Sequence, residues 1–87
     1  MEITEVRVRL MNDRKTKAVA SITIDNAFVV HDLKVLEGKK GVFVAMPGKR
    51  SSDGLYVDVA HPIDSEVRQQ ISRIVLDEFN SKVKEQV

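Results

Sequence analysis

The sequence predicts an α+β fold: a five-stranded antiparallel, meander-like sheet with a C-terminal amphipathic helix packed on one face. Three observations predict it. Apolar and polar residues alternate within 3–10, 18–25 and 55–60, the two-residue period of a half-buried strand. From Asp64 the apolar period lengthens to three and four residues, as on a helix with one buried stripe. Short clusters of Asn, Asp, Gly and Pro separate the strand-like runs, and this is the chemistry of hairpin turns.

In the first strand, residues 3–10, Val6, Val8 and Leu10 share one face while Glu5, Arg7 and Arg9 share the other. Met11 to Lys17 is polar, holds the turn-forming pair Asn12-Asp13 and reads as the loop of a hairpin. In the second strand, 18–25, Ala18, Ala20, Ile22 and Ile24 lie opposite Val19, Ser21 and Thr23, and Asp25-Asn26 ends it. Phe28 to Leu36, rich in β-branched residues, is the third strand, with a bend expected near His31-Asp32 before the turn Glu37 to Gly41. Val42 to Met46 is a short apolar strand ended by Pro47-Gly48, since proline has no amide to donate to a ladder. A polar loop, Lys49 to Gly54, precedes the fifth strand, where Leu55, Val57 and Val59 alternate with Tyr56, Asp58 and Ala60. His61-Pro62 closes it. In the helix, Val67, Ile71, Ile74, Val75, Phe79 and Val83 form the stripe, and Asp64 or Ser65 caps the start. Glu66 near the N-terminus and Lys82 and Lys84 near the C-terminus complement the helix dipole.

Eighty-seven residues suit one domain, 1–87. A chain of this size buries only about 60 to 65% of its unfolded surface and gains from self-association, so a homodimer is expected. Hydrophobic content of 43% and charged content of 31% exclude a disordered or collagen-like chain. The formal charge of +1 gives no overall positive field, so any nucleic-acid binding must come from local clustering. The absence of cysteine excludes a disulfide framework, a thiolate metal site and a cysteine nucleophile. No apolar run has signal-peptide or membrane-helix length, so a cytoplasmic protein without membrane contact is expected.

His31 beside Asp32, with Asp58 and His61, is the one set suggestive of metal binding or acid–base catalysis. Neighbours on a strand point to opposite faces, so His31 and Asp32 enter one site only if the strand bulges there. There is no nucleophile elbow, phosphate-binding glycine loop or histidine pair at helical spacing. The histidines are therefore read as structural, and no enzyme, catalytic residue, metal, cofactor or small-molecule substrate is expected. Lys49-Arg50 differs in kind: two adjacent cations between a Pro-Gly break and an Asp-Gly turn are placed to reach a phosphate backbone. Arg68, one turn into the helix, is a third candidate for the same surface. Phe28, Phe43 and Phe79 read as core, with Tyr56 alone as an exposed aromatic, so the stacking pattern of an RNA-reading sheet is not expected.

Phe43-Val44-Ala45-Met46-Pro47-Gly48-Lys49-Arg50, followed by Asp53-Gly54 and Asp58-Val59-Ala60-His61-Pro62-Ile63, closely resembles the bacterial SpoVG family, the stage V sporulation protein G or septation regulators. The resemblance extends upstream through Ile3 to Arg7, Ala20 to Asp25 and Phe28 to Asp32, nearly the whole chain. It implies a site-specific DNA-binding and RNA-binding homodimeric regulator acting on sporulation, septum formation and gene expression. The family's basic binding residues map onto Lys49, Arg50 and Arg68. Some relatives have serine where this chain has Gly48, and some continue past the helix into an acidic tail, whereas this sequence ends at Val87.

The expectation is thus a DNA- and RNA-binding homodimer that brings two Lys49-Arg50 loops together. An edge strand, Val42 to Met46 or its expected neighbour Leu55 to Ala60, is expected to pair across the two-fold axis. The alternative is a protein-interaction module that serves division or transcription machinery without touching nucleic acid.

Overall fold

The first strand, β1 (Ile3–Leu10), pairs with β2 (Thr16–Ile24), β2 with β3 (Phe28–Gly38), and β3 with β4 (Gly41–Ala45), all antiparallel, in a four-stranded sheet ordered β1-β2-β3-β4. The computed structural model describes residues 1–85. Each strand joins its sequence neighbour through a short connection, so the sheet is a meander. At the β2–β3 turn Asp25 and Asn26 take φ of 52° and 53°, left-handed values that their short polar side chains tolerate. The Ala27 amide donates to the Ile24 carbonyl at 2.9 Å, closing the turn. The start of β1 is tied to it: Glu2 N donates to Asp25 Oδ1 at 2.8 Å, and Asn26 N donates to Thr4 Oγ1 at 3.0 Å.

The expected bend in the third strand is a β-bulge. Ala20 faces Leu33 and Ile22 faces Val30, so three steps along β3 span two along β2, and Asp32 sits at φ 68°. The extra residue lets both Val30 and Leu33 face the core.

Helix α1 (Ser65–Glu85) starts as expected, with Asp64 as the cap: its Oδ1 accepts from Glu66 N at 2.8 Å. Ile71, Val75 and Phe79 are its buried residues, and Val67 and Leu76 pack beside them. They meet Val8, Ala18, Ala20, Ile22, Leu33 and Val35 from the sheet, together with Met46. Leu33, Val35 and Val75 are fully buried, each contributing roughly 1.5 to 3 kcal/mol of transfer free energy. The helix approaches the two edge strands, β1 and β4, most closely, so it crosses the sheet from edge to edge.

The sheet has four strands and not the expected five. Residues 48–50, expected as loop, form a strand β5 (Gly48–Arg50) that pairs with β6 (Tyr56–Asp58) in a separate two-stranded ribbon. The cause is local. Pro47 has no amide with which to continue the β4 ladder, and the turn through Ser51 to Leu55 folds the chain back on itself, giving β6 a nearer partner than β4. Val59 N adds a further bond to Pro47 O at 2.8 Å. Strand 55–60 is therefore not a neighbour of Val42 to Met46. No helix among the described residues is long and apolar enough to cross a membrane.

Candidate nucleic-acid interface

The ribbon decides where the two adjacent cations point. Directly opposite residues of an antiparallel pair share a face, and alternate residues along a strand do too. Arg50 faces Tyr56 and Gly48 faces Asp58, so these four lie on one ribbon face; Lys49 and Val57 occupy the other. Lys49 and Arg50 are both exposed and project to opposite sides. Neither forms an ion pair among the described residues, in contrast to Arg7 with Glu5 at 2.9 Å and Lys17 with Glu37 at 3.1 Å.

Gly48 is the hinge of this geometry. A Cβ there would stand 2.7 Å from the Tyr56 ring and 2.8 Å from the Val57 carbonyl oxygen, closer than any ordinary contact. The ring thus lies against bare backbone, and the Tyr56 hydroxyl donates to Gly48 O at 3.1 Å. At the far end the Ser51 hydroxyl bonds to Asp53 Oδ1, Ser51 N donates to Leu55 O at 2.7 Å, and Gly54 takes φ 86°, a left-handed value suited to glycine. The hydrogen bond from Ser51, then that from the Leu55 amide, holds the Asp53 carboxyl below its ordinary value of 3.8. With its pKa depressed in the folded state, the Asp53 contribution is present above the unfolded pKa and is lost as pH falls through the folded one.

Lys34 links the ribbon to the sheet. Its neighbours Leu33 and Val35 are buried against the helix, so Lys34 stands on the opposite, open face. Its ammonium donates to the Tyr56 hydroxyl at 3.5 Å and lies 5.8 Å from the ring centroid. On the same open face Arg9, Val19, Lys34 and Ala45 form one row across the four strands. The next row toward the β3–β4 turn carries Leu36 and Phe43. Phe43 is 48% exposed and Phe28 65%, so of the three phenylalanines expected in the core only Phe79 is there. Val42-Phe43-Val44 is apolar on both sides, and period two alone does not tell inside from outside in such a run.

Arg68 lies in the first turns of α1, exposed beside the half-buried Val67. Its neighbour Val67 lines the same hollow as Pro47 and Ala60, so the start of α1 lies beside the base of the ribbon. His31 and Asp32 line a shallow depression on the open face with Arg7, Arg9 and Ser21. His61 lines a different hollow of about 150 Å³, apolar, between the helix start and the sheet end. Asp58 lines neither hollow and sits on the ribbon opposite Gly48, so the four residues weighed for acid–base chemistry fall in three places, and among the described residues no three His, Asp or Glu side chains gather as metal ligands. Sequence reasoning missed Lys34 and Phe43. The signal for Lys34 was a lone cation between Leu33 and Val35 in a strand.

The SpoVG family model matches residues 1–81. Similar proteins, each named "Putative septation protein SpoVG", include that of Heliobacterium modesticaldum, 58% identical over 80 residues that cover 91% of this chain and 90% of the relative. That of Lachnospira eligens is 55% identical over 80 residues, 91% of each chain. That of Thermoanaerobacter sp. is 52% identical over 87 residues, covering 99% of this chain and 94% of the relative. Matched along most of its length by the family model and more than half identical to these relatives, the chain belongs to the SpoVG family.

Proposed function

We propose that this chain is a homodimeric DNA- and RNA-binding regulator that affects septum formation, sporulation and gene expression, and that it works by binding without catalysing a reaction. The observation that supports the reading is the ribbon, a short hairpin separate from the main sheet that holds the exposed cations Lys49 and Arg50, one on each face, available to phosphates. Arg68, exposed on the helix, adds a third cation. The septation role rests on the names of the relatives.

Surface area supports the dimer. The chain exposes 6542 Å², against about 5,200 Å² for a folded monomer of its mass. The excess is larger than the roughly 800 Å² that one partner contributes to a standard interface. It includes an apolar group after the ribbon turn, with Leu55 66%, Val59 60% and Ile63 97% exposed. The same exposed apolar residues favour a second reading, a protein-interaction module without nucleic-acid contact.

Fluorescence anisotropy with labelled DNA and RNA at several salt concentrations tests the proposal. Lys49→Ala/Arg50→Ala is expected to bind at least about tenfold more weakly, with a log–log salt slope shallower by roughly 0.7 to 0.9 per lost phosphate contact. Unchanged binding by the double variant removes the ribbon from the interface, and no binding by wild type leaves the interaction module as the better reading.

A further inference from the structure

We infer that the open face of the four-stranded sheet is a second contact surface, one that takes a single strand of nucleic acid, with Phe43 and Tyr56 stacking bases while Arg9 and Lys34 meet phosphates. The inference rests on the proposed nucleic-acid function and adds to it a surface and a strandedness that Lys49, Arg50 and Arg68 do not supply.

The geometry builds it in steps. The helix covers one sheet face and leaves the other uncovered among the described residues. On that uncovered face Phe43 is about half exposed, its ring resting over Gly38, where a Cβ would come 3.0 Å from the ring. An aromatic packed against bare backbone and about half open to solvent offers ring surface to a ligand, and ring surface is what unpaired bases stack on regardless of sequence. Duplex bases are stacked on one another and offer no free face. Four-stranded sheets with aromatics on the open side, backed by helix, use this device in RNA-reading modules.

Charge argues for a nucleic acid over a second copy of the chain. Arg9 and Lys34 stand in one row, two strands and so about 10 Å apart, with neither engaged by a carboxylate among the described residues. A two-fold contact through the middle of this face would set these cations near their own copies. The track also has a continuation: Lys34 touches Tyr56, and Tyr56 shares its ribbon face with Arg50. Arg9, Lys34, Tyr56 and Arg50 therefore run from the sheet onto the ribbon, while Lys49 points the other way.

The test compares the full chain with Phe43→Leu, which keeps an apolar cover over Gly38 but removes the π-face, and with Arg9→Gln. Labelled dT and U 12-mers and a blunt mixed-sequence duplex serve as probes. Phe43→Leu is expected to weaken binding of both single strands by about fivefold or more while changing duplex binding less than twofold. Arg9→Gln is expected to weaken single-strand binding and flatten its salt slope by about 0.7. Circular dichroism spectra that match wild type keep the comparison clean. If wild type binds single strands and both variants bind them equally well, the sheet face is not a contact surface, although the ribbon remains one. Equal losses on duplex and single strand overturn the strandedness. Variants that change the sedimenting species in place of binding show the face to be a contact between copies, and failure of wild type to bind any probe removes the proposed function together with this inference.

Discussion

Asp32 is the residue at which local preference and overall fold conflict. At φ 68° it occupies a region that most L-residues avoid, and it does so because the bulge must return β3 to the register that buries Leu33 and Val35. Aspartate tolerates the conformation and a β-branched residue does not. Asp32→Val is therefore expected to cost about 1 to 3 kcal/mol. At roughly 4 to 8 °C per kcal/mol this lowers Tm by about 4 to 24 °C, whereas Asp32→Gly leaves Tm within a few degrees of wild type. Thermal unfolding followed by circular dichroism checks both; equal Tm values for the two variants would show that the bulge carries no strain. At the same scale, Lys49 and Arg50, adjacent in sequence, are separated by the pleat onto two ribbon faces, so they are not one positive cluster.

At the scale of elements the ribbon is the least anchored of the described strands and helix. It reaches the core only through Met46 and Pro47 at its base, and every residue from Ser52 to His61 is exposed. A change confined to it should alter binding far more than stability. Gly48→Val drives a side chain into the Tyr56 ring and the Val57 carbonyl, which must part β5 from β6. The expected outcome is at least about a tenfold loss of nucleic-acid affinity with a fall in Tm below about 5 °C; a cooperative loss of the whole fold would show the ribbon to be integral to the core. The helix, its cap and the faces of β1 and β2 were legible in the sequence because each carries one unbroken period, in Val6-Val8-Leu10, Ala18-Ala20-Ile22 and Val67-Ile71-Val75. Strand 55–60 was legible as a strand but not in its partner, since alternation reports which side chains share a face and is silent on pairing. Lys49 and Arg50 were legible as candidates from composition alone, but their divergence depends on a three-residue strand with too few positions to show a period.

The whole molecule is an elongated body, 41 × 33 × 21 Å, with more surface than its mass requires. Its two sheet faces differ: one is closed by α1, and the other holds Arg9, Lys34 and Phe43 toward solvent. The exposed apolar residues beyond the ribbon, Val59 and Ile63, belong to neither sheet, and the proposed dimer is tested through them. Val59→Asp/Ile63→Asp is expected to keep the wild-type circular dichroism spectrum and to sediment as a monomer at about 10 μM, where the wild type is expected to sediment as a dimer. A wild-type monomer at that concentration contradicts the dimer. The meander also sets the order in which the chain can be made on a ribosome. Residues 3–45 pair only with their sequence neighbours and can assemble as they emerge, but the helix residues that cover the inner face, Ile71 to Phe79, come about 30 residues later. At translation rates of roughly 5 to 20 residues per second, a nascent sheet lies with its apolar side bare for about 1.5 to 6 s, and Arg7 and Arg9 put charge on its edge strand β1, the kind of edge to which neighbouring chains add poorly.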